Sequence, residues 1–322
     1  MASSRYLMTV FVAFVALFAM WSAYAASEFG RYTRNGYTGC SYVEKKVELA
    51  PAIASPKLEV IAGSSAAAGI DVATLTRAMK LRGFNFALAA TFSPGYQLFQ
   101  ARKTLRPGDA ALLAFEYLAY EYQGPTNALV DTVYSCGADY WHSLDWPRRL
   151  FFIFAIRPQR IFSTLSFNRE ATAARTADVL AKTIRPNGDL GDPLETAAPD
   201  ANTHEPLVIR FRRESIGVKE IADFVAWAKA NDVTVFATWP NTLYFKQYDS
   251  HPAFAEIASF YRSLGVEVIG EPEDAMVTSE FLADSIYHLT APGIAKRTAK
   301  LIENLRSSAA FAAWRERASV SE

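Results

Sequence analysis

Short apolar runs alternating with stretches of helical periodicity constrain this chain more than any other feature. LEVIAG (58–63), FNFALA (84–89), AALLAF (110–115), PLVIRF (206–211), VTVFATW (233–239) and VEVIG (266–270) are dominated by apolar residues, AALLAF without interruption. A strand of that kind is buried on both faces, which happens in a mostly parallel sheet covered by helices. Between the runs, helical spacing predicts helices over 72–81, 95–103, 171–184, 216–230 and 251–264, and a last one opened by Pro292. Pro94 and Pro292 suit a first helical turn, where the missing N–H has no partner to lose. RPGD (106–109) reads as a turn. The fold class is α/β, and chemistry in such sheets gathers beyond the carboxyl ends of the strands.

Composition limits the alternatives. With 51% apolar and 20% charged residues among 322, the chain is too apolar for disorder, and its length suits one α/β domain with insertions or two smaller domains. Lys plus Arg equals Asp plus Glu at 33 each, which argues against a basic nucleic-acid binder. Two cysteines and four histidines do not supply a Cys₄ metal site, so neither metal nor cofactor is implied. Cys40 and Cys136 can form one disulfide in an oxidising compartment; the alternative is that Cys136 is a small buried hydrophobe.

The compartment is written at the N-terminus. Arg5 precedes an apolar run from 6 to 21, and Ala23-Tyr24-Ala25 offers the small-x-small pattern accepted by signal peptidase. Residues 1–25 read as a cleaved signal peptide, with an uncleaved membrane anchor and a buried first helix as the alternatives. The first two readings put the folded domain outside the cytoplasm, in the periplasm or the extracellular space. Residues 26–56 read as a lead-in strap, 57–310 as one domain with an irregular insertion at about 123–205, and 311–322 as a polar tail. Inside the insertion, LFFIFAI (150–156) is flanked by Arg148, Arg149, Arg157 and Arg160. The run is too short to span a bilayer and is read as core, the rival being a helix lying on a membrane. The polar loop at 185–204 is the candidate lid or internal boundary.

The chemical signal is divided between the two ends of the domain. A strand runs into Gly63-Ser64-Ser65 and a helix follows, so a serine hydroxyl lies at the strand's carboxyl end, near helix N–H groups that can hold an oxyanion. Either serine would serve equally as an N-cap. Far along the chain, FLADSIYHLTAPG (281–293) supplies Asp284 and His288. A serine nucleophile needs such a base, and the base needs a carboxylate to fix its tautomer. Asp284 and His288 can also be an ordinary loop carboxylate and a capping histidine. Glu116 and Tyr117 end the third apolar run, while Trp239 and Asn241 end a later one, where an indole face and an amide suit a sugar ring. Tyr244 and Tyr287 carry weaker claims of that kind. Arg31, Arg34 and the arginines at 148–160 suit an anionic polymer or a solvated face.

These blocks resemble the SGNH/GDSL hydrolase superfamily, in particular its extracytoplasmic branch related to the alginate O-acetylation proteins and the D-alanyl transfer protein of teichoic acid. Gly63-Ser64-Ser65 is similar to the family's G-D-S block and 284–288 to its D-x-x-H block. The resemblance implies a three-layer α/β/α sandwich, flavodoxin-like in its sheet. It also implies Ser65 as nucleophile, His288 as base and Asp284 as its orienting partner. The oxyanion hole would use the N–H of Ser65 and of Ala89 or Ala90, since the usual second-block glycine is missing. Two more departures are Ser64 at the usual Asp position and four residues, not three, between Asp284 and His288. The implied activity is O-acetyl transfer to a secreted or cell-surface polysaccharide through an acyl-enzyme. The implied partners are a polysaccharide acceptor, a small acyl donor and a membrane-bound acyl-supplying protein. A carbohydrate esterase or deacetylase with the same residues, and a non-catalytic scaffold of polysaccharide export, are the alternatives.

Overall fold

A computed structural model describes residues 2–191 and 204–320. Residues 192–203, the larger part of the predicted lid loop, lie outside the described residues. In chain order the helices are α1 (Ala2–Ser27), α2 (Arg34–Leu49), α3 (Ser64–Ala67), α4 (Val72–Met79), α5 (Pro94–Ala101), α6 (Asn127–Cys136) and α7 (Ala138–Ser143). They continue as α8 (Trp146–Ala155), α9 (Arg160–Leu165), α10 (Arg169–Thr183), α11 (Ile216–Ala230), α12 (Pro252–Ser263), α13 (Ala291–Ser307) and α14 (Ala309–Val320). The strands are β1 (Leu58–Ile61), β2 (Gly83–Asn85), β3 (Ala110–Leu113), β4 (Thr234–Thr238), β5 (Thr242–Leu243), β6 (Glu267–Ile269) and β7 (Met276–Val277). The chain divides into two compact units, one of residues 1–41 with 124–176 and one of 42–123 with 177–322.

The larger unit is the expected α/β structure. Five strands form one parallel sheet in the order β2-β1-β3-β4-β6. β1 and β3 are buried at every position, which is why their sequences show no polar alternation. Val60, Leu112, Phe236 and Ile269 pack on one face against Leu75 of α4, Leu301 and Leu305 of α13, and Phe311 and Trp314 of α14. α5 and α11 cover the other face. The strand order reverses between β1 and β3, so the crevice beyond their carboxyl ends is the natural ligand position. Past β2 the chain stays beside β1, with Phe86 N–H donating to Val60 and Leu88 N–H to Ala62.

Three predicted features differ. PLVIRF forms no strand: the N–H of Leu207 goes to the Tyr248 hydroxyl, and that of Arg212, just after the run, goes to the Tyr120 carbonyl, not to a neighbouring strand. The expected polar tail is α14, whose Phe311 and Trp314 are buried. The expected strap contains α2, whose Lys46 is buried and donates to the carbonyls of Asn85 (2.8 Å) and Gly188. Burial pulls that ammonium down to about 7, opposed by Asp189 and Glu59.

The smaller unit is helical and does not behave as an insertion alone, because the N-terminal segment belongs to it. Cys40 and Cys136 form a disulfide. Buried Arg160 sits 3.2 Å from Glu28 and also bonds Asp131 and Ser135. The run at 150–156 lies mostly in α8: Phe152, Ile153 and Ile156 are buried, whereas Phe151 and Phe154 are exposed. The core expectation therefore holds for one face of that helix only.

Candidate active site

β1 ends at Ile61, and the chain turns through Gly63 into α3, so Ser64 and Ser65 occupy its first positions. Ser64 is half-buried. Ser65 is 0% exposed, and its Oγ has no partner at hydrogen-bonding geometry. β3 pairs with β1, which brings Glu116 beneath this turn. Glu116 accepts the N–H of Ser65 at 2.8 Å and the N–H of Gly63 at 3.2 Å. A Cβ on Gly63 would collide with that carboxylate, so the turn requires glycine. Burial raises the Glu116 carboxyl above the usual carboxylate range, while the two N–H donors and the nearby Ser65 hydroxyl favour its charged form.

His288 reaches the same end of the sheet through the segment after β7. Leu289 N–H donates to the carbonyl of Ala68, three residues beyond Ser65, at 3.0 Å. Leu282 and Leu289 form an antiparallel bridge, and Ala283 N–H donates to the His288 carbonyl at 2.9 Å. This hairpin-like loop accommodates the four-residue spacing. Asp284 Oδ1 lies 2.6 Å from His288 Nδ1, leaving Nε2 as the nitrogen for a nucleophile. Asp284 is exposed and His288 half-buried.

The remaining predicted residues divide between support and site. Asn241 is buried; its amide donates to the carbonyl of Tyr287, and it packs against Gly69 where no Cβ would fit. Asn241 thus ties the His288 loop to the chain after α3 rather than presenting an amide to a sugar. Trp239 offers no open indole face: it is buried, donates Nε1–H to the Gly270 carbonyl at 2.9 Å, and packs on Phe254. It follows the buried end of β4, Phe236 to Thr238, which makes it core. Tyr117 is buried beside Phe254, and Tyr244 is exposed, bonded to Asp249. Ala89 and Ala90 are half-buried and follow the segment bonded to β1, with the Ala89 carbonyl accepting from Phe92 N–H. The Ser65 N–H, expected as a free oxyanion donor, is taken by Glu116 in this state.

Two contributors were missed or underrated in the sequence. Arg297 of α13 is buried and donates to the Trp239 carbonyl at 2.9 Å; burial lowers it to about 10, with Asp274 and Tyr117 opposing. The Tyr287 hydroxyl is buried without a partner at hydrogen-bonding geometry, and its pKa is raised by burial first and by the Glu116 charge next. Among the described residues, the Ser65, Tyr117 and Tyr287 hydroxyls are all such orphans. Burial makes such hydroxyls costly unless they are hydrogen-bonded, and similar atoms occur elsewhere, at Ser22 and Thr242. The only advance signal was a glutamate directly after an all-apolar strand. No group of metal-binding side chains occurs among the described residues. Comparison with known protein families and with curated proteins finds no match to the chain.

Proposed function

We propose that the larger unit is an SGNH-type catalytic domain carrying out serine-dependent acyl transfer. The observation that supports this reading is a carboxylate-oriented histidine whose neighbour Leu289 bonds through its N–H to the Ala68 carbonyl, three residues beyond the strand-end Ser65; His288 itself is not bonded to Ser65. Ser65 is the nucleophile. His288 Nε2 takes its proton as Ser65 Oγ bonds to the ester carbonyl carbon, and Asp284 holds the imidazolium. Collapse of the tetrahedral intermediate expels the alcohol, which receives the proton from His288 and leaves an acyl-Ser65 ester. A sugar hydroxyl or water then attacks that ester with the same base. The acceptor is a secreted or cell-surface polysaccharide, the donor a small acyl ester or a membrane-bound acyl-supplying protein. Water as acceptor makes the same residues a carbohydrate esterase.

Glu116 has a part in this chemistry. As a carboxylate it occupies the N–H that an oxyanion needs, and its charge opposes one. Burial favours the neutral acid, which repels no oxyanion and can donate a hydrogen bond to it. The site is therefore closed with Glu116 ionised and competent with Glu116 protonated.

A second reading has its own observation. Ser65 is fully buried and its N–H is occupied, as expected of a non-catalytic scaffold that retains the fold. Labelling with a fluorophosphonate separates the two. The enzyme reading expects one label per chain, retained in Ser64→Ala and lost in Ser65→Ala. Loss in Ser64→Ala alone moves the nucleophile to the half-buried neighbour, and no labelling of the unmutated chain favours the scaffold.

A further inference from the structure

Among the described residues one helix, α1, is long and apolar enough to cross a membrane, with mean hydropathy 2.0 in its most apolar stretch, none of it buried; signal sequences share that property. The end of α1 is nevertheless built into the smaller unit. Trp21 donates Nε1–H to the Ile153 carbonyl at 2.7 Å, and the Tyr24 hydroxyl donates to the Arg157 carbonyl at 2.9 Å. Phe18 packs on Phe154 with ring centroids 6.0 Å apart, Ala25 is buried, and Glu28 pairs with Arg160. Cleavage after Ala25 would remove Phe18, Trp21 and Tyr24 from this packing.

Helix length then fixes a depth. The bare stretch from Ser4 to the docking point at Phe18 rises about 21 Å at roughly 1.5 Å per residue. A hydrocarbon core about 30 Å thick needs about 20 residues, so a span beginning after Arg5 ends near Ala25. The part of α8 that docks on α1 lies within that span. Its contacts run in a consistent order: Phe154 meets Phe18, Ile153 meets Trp21, and Arg157 meets Tyr24. Apolar rings fall deepest, and the exposed Arg157 falls where lipid phosphates lie.

The exposed face of α8 has the matching chemistry. Phe151 is 45% and Phe154 61% exposed, one turn apart and directed away from buried Phe152. On α9, Phe162 and Leu165 are 73% and 75% exposed. Single exposed apolar residues are ordinary, but a group of large ones beside a bare apolar helix is not.

We propose that α1 is retained as a membrane anchor and that the α8 face bearing Phe151 and Phe154 sits in the interfacial layer of the same bilayer. The smaller unit is then a docking module that lies on the lipid rather than hanging from a flexible stalk. Its occupant is the bilayer, selected by continuity with α1 and by Arg157 at headgroup depth.

The test uses the full chain in vesicles of phosphatidylcholine and phosphatidylglycerol. The disulfide leaves no free cysteine, so Phe151→Cys and Phe154→Cys each accept one nitroxide label. Val12→Cys provides a lipid reference and Glu256→Cys, on exposed α12, a water reference. Labels at 151 and 154 should show oxygen over nickel-chelate accessibility several-fold above that at 256 and close to that at 12. Values equal to those at 256 would overturn the proposal. So would spin–spin broadening at 154 that vanishes on dilution with unlabelled chain, since a second copy would then cover the face. Intact mass of membrane-extracted protein should include residues 1–25, and a chain beginning at Ala26 would overturn retention of the anchor. Both labelled positions are exposed, and unchanged thermal unfolding confirms that each variant is folded.

Discussion

The two ends of the parallel sheet hold buried charge in opposite ways. At the amino end, Lys57 Nζ donates to Asp109 and to the Thr104 carbonyl, both at 2.8 Å, and lies 3.8 Å from Glu59. Asp109 also accepts the N–H groups of Lys57 and Arg106, and Thr104 donates to Glu59 at 2.7 Å. At the carboxyl end, Glu116 has two backbone donors but no cation bonded to it, and three hydroxyls around the site lack partners. Glu59 Oε2 also lacks a hydrogen-bond partner but lies 3.8 Å from the Lys57 ammonium, whereas Glu116 is held by backbone N–H groups. The amino end sets its carboxylates against a cation; the carboxyl end sets one against main-chain donors.

The largest effect should separate those roles. Ser65→Ala and His288→Ala should each lower turnover of a fluorogenic acetyl ester on the order of 10⁴-fold or more, and the double variant should be hardly worse, because members of a triad act as a unit. Neither should shift thermal unfolding by much. Additive losses would show that the two residues act independently.

At the amino end the expected effect is on stability. Lys57→Met leaves Asp109 and Glu59 buried without their cation and should cost about 3–5 kcal/mol by denaturant titration. Fluorophosphonate labelling of the folded variant should be unchanged. A variant that is stable but unlabelled would mean that the two ends are coupled.

Trp239→Phe sharpens the boundary between site and core. It removes the bond to the Gly270 carbonyl and some volume, at about 1–3 kcal/mol. Oligosaccharide affinity should not change, since the indole is enclosed. A large loss of affinity with intact stability would restore the sugar-platform expectation.

What the sequence disclosed follows from the range of the forces involved. β1, β3 and β4 were legible because burial on both faces imposes an unmistakable local composition. α11 was legible from its apolar period, and the structure adds Ser215 as its cap. PLVIRF has the same composition as a strand, yet the Leu207 N–H goes to the Tyr248 hydroxyl rather than to a neighbouring strand, a contact set by distant parts of the chain. α14 was hidden because its two large anchors, Phe311 and Trp314, stand among alanines that give little amphipathic pattern. At the site, Asp284 and His288 were readable as a pair because one short loop holds both. The contact between Glu116 and the Ser65 turn was not, since it depends on β1 and β3 being neighbours across 51 residues of chain.

The smallest effect, on Glu116, tests the comparison most closely, because Glu59 at the other end of the sheet is a buried glutamate too. Glu59 is pushed up to about 7 by burial, against the pull of Lys57 and Thr104; Glu116 is also raised by burial, with N–H donors and the Ser65 hydroxyl but no cation to oppose it. A carboxyl raised in the folded state binds more protons there than in the unfolded chain. Its stabilising contribution is complete below the unfolded value and is lost as pH rises through the folded one. Glu116→Gln keeps a carbonyl oxygen for the Ser65 and Gly63 N–H groups and never ionises. Stability of the variant should therefore fall less than that of the unmutated chain as pH rises from about 4.5, the ordinary glutamate range. If neutral Glu116 is the competent form, turnover should stay within about tenfold, because an amide N–H can replace the acid O–H as donor. The decline in turnover on the alkaline side should flatten in the same variant. An unchanged pH–stability curve would mean that Glu116 titrates as it does in the unfolded chain. Loss of turnover beyond a hundredfold, with stability intact, would instead require the carboxylate itself and assign the closed arrangement a direct role in the reaction.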